Sequence, residues 1–392
     1  MEPKAHINLI WQGCAQGAYS VKAKGFFLAE LKWGSRKGPF SGWGPIGYIP
    51  IDPAGNGKFY FSGRRAIPEE ADHVWFHCVS YDFSNSLDIP VEIPAKYLIG
   101  TDEKTDMVRL SVLSDVHLNT KPGSFKRALH MAEGNIILLL GDTTHDGSSE
   151  QFDLACKCIQ ECSREKMIFC IPGNHDIMHA SETGSNCSGI ENYEIFQNRF
   201  LENNINMRYR VDRDPDSLAY AVQIEDIDLI GLQCVISKRK FLFPKGKQIN
   251  WIENHLNSHQ NEKTHIILCH APLITHCAKI KETTPYLDRD RQLQELIDNC
   301  GKVIFLSGHT HISPNIPEGC GKYDEKNKNV YLDCGSVAGT ISGCDKELMS
   351  ADWTSGCITE LSVSKEFIWI KMRSVETNLL FPRGCYRFSL RS

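Results

Sequence analysis

The stretch Val108-Arg109-Leu110-Ser111-Val112-Leu113-Ser114-Asp115-Val116-His117 decides the fold, because a short apolar run ends directly on two side chains suited to binding metal. A brief β-prone run closed by a polar turn reads as a buried strand. The same arrangement recurs four times further along the chain. Residues 135–140 precede Gly141-Asp142, and residues 167–171 precede Gly173-Asn174-His175-Asp176. Residues 265–268 precede Cys269-His270, and residues 303–306 precede Gly308-His309-Thr310-His311. A site built at the ends of several strands collects ligands that are far apart in sequence. Carboxylate and amide oxygens suit hard divalent ions and imidazole suits borderline ones, so this mixture points to a pair of ions.

Working outward, the apolar spacing between these runs predicts helices over 124–132, 149–165, 191–202, 247–258 and 289–299, the second capped by Ser148 or Ser149. Strands are expected near 217–225 and 228–234, and residues 356–373 read as a hairpin turning near Ser364-Lys365. Parallel βαβ units followed by antiparallel pairs predict an α/β domain with two sheets packed between helices.

The first hundred residues read differently. Short alternating or aromatic runs at 25–33, 47–51, 58–62 and 73–81 are broken by Gly34-Ser35, Gly38-Pro39, Asp52-Pro53 and Gly55-Asn56-Gly57. That pattern predicts a smaller all-β, sandwich-like accessory domain over residues 1–100, before an α/β domain over 107–392. Residues 66–83 are similar to the late strands of fibronectin-type or immunoglobulin-like modules. Trp11, Trp33, Trp43 and Trp75 offer either a stacking platform or ordinary core packing, and packing is the default. The polar segment 94–106 reads as the connection between domains.

Composition narrows the class. The chain has 392 residues, 41% hydrophobic and 23% charged, enough for a sizeable core. A net charge of −5 gives no electrostatic footprint for bulk nucleic-acid binding. No apolar run reaches the ~18 residues of a membrane-spanning helix, and no secretion signal is read at Met1-Glu2-Pro3-Lys4. Sixteen cysteines are too sparse for a disulfide scaffold, and Cys170, Cys234 and Cys269 fall in apolar runs. Cys156, Cys158 and Cys162 cluster without a completing metal-site motif, so structural thiols and a cytoplasmic setting are expected.

Taken in order, Asp115-x-His117, Gly141-Asp142, Gly173-Asn174-His175-Asp176, His270 and Gly308-His309-x-His311 resemble the calcineurin-like metallophosphoesterase superfamily, over about residues 107–375. The resemblance implies a two-sheet α/β/β/α sandwich. It further implies that Asp115, His117 and His311 hold one metal ion, that Asn174, His270 and His309 hold a second, and that Asp142 bridges them. The two ions would be divalent or trivalent, with Mn, Fe or Zn foremost. A water shared by two such ions is a hydroxide near neutral pH and attacks phosphorus in line. His175 is expected to protonate the leaving alkoxide, and Asp176 to serve a turn.

Departures from family subgroups refine the expectation. The protein Ser/Thr phosphatase pattern Gly-Asp-x-x-Asp-Arg is replaced by Gly141-Asp142-Thr143-Thr144-His145-Asp146, which leaves the partner of His175 open and makes His145 and Asp146 candidate substrate contacts. Purple acid phosphatases lack a histidine in the first motif, whereas this chain has His117. The chain therefore looks more like the bacterial phosphodiesterase-type branches, acting on a small phosphoester, with nucleotides among the candidates. A phosphomonoesterase is the alternative, followed by a binding protein that keeps the domain only as a scaffold. A Ser- and Gly-rich loop at 178–189 with His179 is a candidate lid, and Lys279 and Lys281 are candidate phosphate contacts. Asp333-Cys334-Gly335-Ser336 is similar to the family's Gly-Ser strand end, and a packing role near the metals is expected for it.

Overall fold

A computed structural model describes residues 4–9, 17–34, 43–60, 73–91, 107–177, 189–206, 209–237, 240–242, 247–258, 263–273, 290–314, 320–341, 353–354, 356–376, 378, 381 and 384–390. The chain divides into two compact units, one of residues 1–106 with 379–387 and the other of residues 107–378 with 388–392. The candidate lid at 178–188, Lys279, Lys281 and Trp11 lie outside the described residues.

The first unit is built from antiparallel strands. Strands β1 (Lys4–Leu9), β2 (Gly17–Lys22), β3 (Leu28–Gly34), β4 (Trp43–Pro50), β5 (Asn56–Tyr60), β6 (His73–Val79) and β7 (Ser86–Val91) form two sheets. Their orders are β1-β2-β5 and β4-β3-β6-β7. Period-two alternation is visible on β6, where Phe76 and Cys78 are buried and Trp75 and His77 are half-buried. β1 (Lys4-Ala5-His6-Ile7-Asn8-Leu9) and β7 (Ser86-Leu87-Asp88-Ile89-Pro90-Val91) also alternate polar and apolar residues, a pattern the sequence reading did not single out.

The second unit is the α/β/β/α sandwich that the resemblance implies. It comprises β8 (Val108–Leu113), α1 (Gly123–Met131), β9 (Ile136–Leu140), α2 (Ser149–Cys162), β10 (Met167–Ile171), α3 (Asn174–Ile177) and α4 (Gly189–Asn206). There follow β11 (Val211–Arg213), β12 (Tyr220–Ile224), β13 (Ile227–Gly231), β14 (Val235–Ser237), β15 (Lys240–Leu242), α5 (Lys247–Ser258), β16 (Thr264–Leu268), α6 (Asp290–Cys300) and β17 (Val303–Ser307). The remaining strands are β18 (Gly321–Asp324), β19 (Asn329–Asp333), β20 (Thr340–Ile341), β21 (Trp353–Thr354), β22 (Cys357–Val363), β23 (Phe367–Ser374) and β24 (Tyr386–Ser389), of which Phe388 and Ser389 belong to this unit. One sheet has the order β10-β9-β8-β22-β23-β24 and the other β11-β12-β13-β16-β17-β19-β18, while β14-β15 and β20-β21 are short ribbons.

Strands β8, β9 and β10 are mutually parallel, as are β13, β16, β17 and β19. Strands covered on both faces are expected to be apolar throughout, and β9, β16 and β17 are buried at every position. Phe125 and Leu129 of α1, Phe152 and Ile159 of α2, and Phe196 of α4 pack on the outer face of the first sheet. Ile252 and Leu256 of α5 with Leu293 and Ile297 of α6 cover the second. The two sheets meet where Phe169 of β10 stacks on Tyr220 of β12, with ring centroids 6.3 Å apart. Gly231 of β13 is required at this layer, since a Cβ there would lie 2.5 Å from the Tyr220 ring and 2.9 Å from Ile171.

Helix α2 starts at one of the two caps expected from the sequence. Ser148 is the N-cap but its hydroxyl makes no capping bond; instead Asp146 Oδ1 accepts from Ser148 N at 3.0 Å. Every described cysteine is free, and all but Cys156 and Cys162 are buried. No helix among the described residues is long and apolar enough to cross a membrane.

Candidate metal centre

All five motifs emerge where β8, β9, β10, β16 and β17 end. The loops that carry them are laced together in pairs. Asp115 N donates to Gly141 O at 3.1 Å, His117 N to Asp142 O at 2.9 Å, and Leu118 N to Thr143 O at 3.0 Å, so the parallel β8–β9 ladder continues into the loops. Gly308 N donates to His270 O at 3.1 Å, which does the same for the second sheet. Turning side chains back over the strand ends strains the backbone. Ten non-glycine residues among those described adopt positive φ, and five of them are Asp115 (51°), His117 (45°), Asp142 (49°), His309 (70°) and His311 (54°). Each such conformation costs roughly 1–3 kcal/mol and persists only where the surroundings impose it, which makes this concentration a functional signature.

The expected ligand side chains converge in two groups. Asp115, His117 and His311 form one, and Asp142, His270 and His309 the other, with one ligand atom from each residue within 4.8 Å of its companions; His117 also meets His145 and His175 in a third such group at the mouth. Asn174 joins the second group, its Oδ1 lying 3.0 Å from His309 Nδ1. Asp142 stands between them: its Oδ2 is 3.7 Å from His117 Nε2 and 3.4 Å from His270 Nε2. His117 Nε2 and His311 Nε2 face one another at 3.0 Å. His270 is oriented by its other nitrogen, which lies 2.8 Å from Leu140 O. A backbone carbonyl in this role fixes the tautomer and aims Nε2 at the site.

The donor set fits cations at these positions. Asp115 Oδ2 is committed, accepting from Ser114 Oγ at 2.5 Å and from His309 N at 2.9 Å. Asp115 Oδ1 is buried and accepts no hydrogen bond, although His311 Nε2 is 3.2 Å away. A buried carboxylate oxygen left open is costly unless positive charge meets it. Electrostatics agree. Burial alone would raise the Asp115 carboxyl, yet the His311 and His270 imidazoles hold it well below the usual carboxylate range. Burial likewise opposes charging of His270, but Asp142 and Asp115 push it up to about 10, whereas burial takes His117 and His309 down to about 4. Imidazoles clustered on two buried carboxylates are a site that wants cations.

At the mouth, the structure supplies a partner for His175. Its Nδ1 lies 2.7 Å from His145 O, and its backbone N donates to Asp142 Oδ1 at 2.7 Å. The His175 ring packs edge-on against His117, with centroids 4.5 Å apart. The exposed His145 ring lies 5.6 Å from His175 and 6.1 Å from His117. Gln151 Oε1 of α2 holds this loop by accepting from His145 N at 2.8 Å and Asp146 N at 3.1 Å. Asp176 faces away from chemistry. Its buried carboxylate accepts from Gly173 N (3.0 Å), Thr143 N (3.2 Å), Thr144 N (2.9 Å) and Thr144 Oγ1 (2.8 Å), tying two motif loops together. Burial, then the neighbouring Asp142 charge, pushes its carboxyl up to about 6.

Residues 108–313, more than half of the chain, match the family model described as calcineurin-like phosphoesterase. The chain belongs to that family. No curated protein matches it by sequence. Among solved structures it is similar to GAP50, the anchor in the inner membrane complex of Plasmodium, at 13% identity over 73% of this chain and 90% of that chain, with a TM-score of 0.44. It is also similar to PhoD, at 10% identity over 98% and 88% of the two chains and a TM-score of 0.44. A third is phosphopantetheinyl hydrolase from Mycobacterium tuberculosis, at 10% identity over 58% and 89% and a TM-score of 0.38. Calcineurin-like phosphoesterases are metal-dependent hydrolases of phosphoester bonds, and the two side-chain groups of this phosphoesterase are candidate metal-ligand sets.

Sequence reasoning left three supporting roles unassigned in this phosphoesterase: the Ser114 hydroxyl on Asp115, the His145 carbonyl on His175, and the Thr310 hydroxyl, which donates to Asp333. Two were detectable in principle, because Ser114 adjoins a ligand and Thr310 lies between two. The third is a backbone atom and leaves no trace in residue identity.

Proposed function

We propose that this phosphoesterase is a binuclear phosphodiesterase, with Asp115, His117 and His311 holding one ion, Asn174, His270 and His309 the other, and Asp142 shared. The observation that carries the reading is the position of Asp142 between the two groups, 3.7 Å and 3.4 Å from a histidine of each. Mn, Fe and Zn are the metals this imidazole and carboxylate set favours. When bound, two such ions supply a nucleophile from water at neutral pH and neutralise the phosphoryl oxygens.

The chain's own groups do the rest. His175, protonated at Nε2 and fixed through Nδ1 by the His145 carbonyl, delivers a proton to the leaving alkoxide. The exposed His145 side chain meets the phosphoryl oxygens or the leaving group from the mouth, with Asp146 beside it at the start of α2. Diester preference is supported by His117 in the first motif and by His145-Asp146 where the protein phosphatases carry Asp-Arg. Cyclic and linear nucleotides are the first natural substrates to try, and the β-rich first unit is read as an accessory module. The free, buried thiols accord with a reducing, cytoplasmic setting.

The test compares hydrolysis of bis-(p-nitrophenyl) phosphate with that of p-nitrophenyl phosphate, with added Mn, for wild type, Asp142→Asn and His175→Ala. Diester turnover above monoester is expected. Asp142→Asn should abolish it, and His175→Ala should lower kcat by about 10²–10⁴-fold with metal content unchanged. Monoester preference would move the assignment to a phosphomonoesterase. Inactive, fully metallated wild type would favour the scaffold alternative.

A further inference from the structure

We propose that Asp333 is a positioning residue that holds His309 and His311 together in their metal-binding conformation through Thr310. The inference rests on the two-ion reading above. Asp333 ends β19, and its register opposite Ser307 places it beside the end of β17, where the closing motif begins. Cys334 N donates to Ser307 O at 2.8 Å and Asp333 N to Cys320 O at 2.9 Å, so the Asp333 backbone is fixed on both sides. Its side chain is buried, with 5% of the residue exposed. One carboxylate oxygen accepts the Thr310 hydroxyl and the other accepts Gly335 N at 3.2 Å.

Thr310 is the residue between the two histidines, and it is fixed in turn. Its N donates to Gly308 O at 2.8 Å, and its hydroxyl oxygen accepts from Ile312 N at 3.2 Å. The hydroxyl therefore links the loop on its far side to the buried carboxylate on its near side. That link is what the loop's backbone requires. His309 and His311 both sit at positive φ, 70° and 54°, with Thr310 as the pivot between them. Left alone, a loop with two such residues relaxes toward ordinary backbone angles and swings the imidazoles out of line. The two histidines belong to different groups, so one pivot governs both ion positions. Asp333 itself lies outside those groups and acts only through the loop.

The test measures metal affinity and stoichiometry of the full chain, using Mn and Zn in competition with a chelating dye, alongside thermal unfolding of the metal-free protein. Wild type is compared with Asp333→Ala, Asp333→Asn, Thr310→Val and Thr310→Ser. Loss of a residue that orients ligands lowers metal affinity about 10–100-fold. Asp333→Ala and Thr310→Val are expected to lose that much at both ions. Asp333→Asn keeps an acceptor oxygen and Thr310→Ser keeps the hydroxyl, so both should bind close to wild type. A folded Asp333→Ala that binds both ions within about threefold of wild type overturns the proposal. If Asp333→Ala does not fold, the Thr310 pair decides, and equal affinities for Val and Ser overturn it. A wild type that fails to hold two ions sinks the two-ion reading instead, a result distinct from any difference among the variants.

Discussion

At the end of the strands away from the metal centre, a buried charge network makes the stability of the second unit depend on pH in a definite direction. Asp228 of β13 lies 2.9 Å from His265 Nδ1 on neighbouring β16 and 2.9 Å from His255 Nε2 on α5. Burial opposes charging of His265, yet its hydrogen bond to Asp228 prevails and pushes it from 6.5 up to about 9. Burial would raise Asp228, but the two histidines hold it well below the usual carboxylate range. A histidine raised in the folded state contributes stability that is complete below its unfolded value near 6.5 and is lost as pH climbs through about 9. The depressed Asp228 contributes above the ordinary carboxylate range and loses that contribution as pH falls. Maximum benefit therefore lies between about pH 4 and 6.5.

The magnitude follows from the histidine. At about 1.4 kcal/mol per pH unit, the rise from 6.5 to about 9 corresponds to ~3 kcal/mol. Asp228→Asn should cost most of that amount near pH 6, and its deficit should shrink as pH rises through about 9. Urea unfolding followed by circular dichroism at a series of pH values reads the effect. A histidine carbon–proton resonance titrating near pH 9, absent in His265→Gln, identifies the group. Wild-type stability that is flat from about pH 6 to 10, or an Asp228→Asn deficit independent of pH, would refute the reasoning.

Two further outcomes bear on the metal centre. Chelation should abolish phosphoester hydrolysis and lower the thermal midpoint, with Mn at about 100 times its Kd restoring close to 3 kcal/mol of stability per ion; an unchanged midpoint would mean that the two groups hold no ion. Gly308→Ala would place a Cβ against Ser114 Oγ and 2.7 Å from Asp115 Oδ2, so it should cost about 1–3 kcal/mol and nearly all turnover, measured by urea unfolding and kcat.

Much of this was legible before any coordinates. The apolar runs before Asp115, Asp142, Asn174, His270 and His309 are strands β8, β9, β10, β16 and β17, because strands covered on both faces must be apolar throughout. Helix α5 runs over Lys247–Ser258 as its apolar spacing requires, and the late hairpin turns at Ser364-Lys365. The sequence was less informative wherever one partner of an interaction is backbone. Ser148 reads as the cap and is the cap, yet its hydroxyl makes no capping bond and Asp146 Oδ1 accepts from its N–H, since the cap residue's identity does not determine which oxygen reaches the turn.

What the sequence determined by itself is the inventory: which donors exist, that each motif follows a strand, and that oxygen and imidazole ligands are both present. Residue types and hydrophobic periodicity are local, and local patterns survive without coordinates. What only the tertiary structure decided is the arrangement. It placed Asp142 between two groups, left Asp115 Oδ1 open by committing Oδ2 to Ser114 and His309, and gave His175 the His145 carbonyl. It also put Asp333 against Thr310, 23 residues away along the chain. Such pairings depend on strand register and on left-handed backbone at the strand ends, and those are set by long-range packing of two sheets that share few neighbours in sequence.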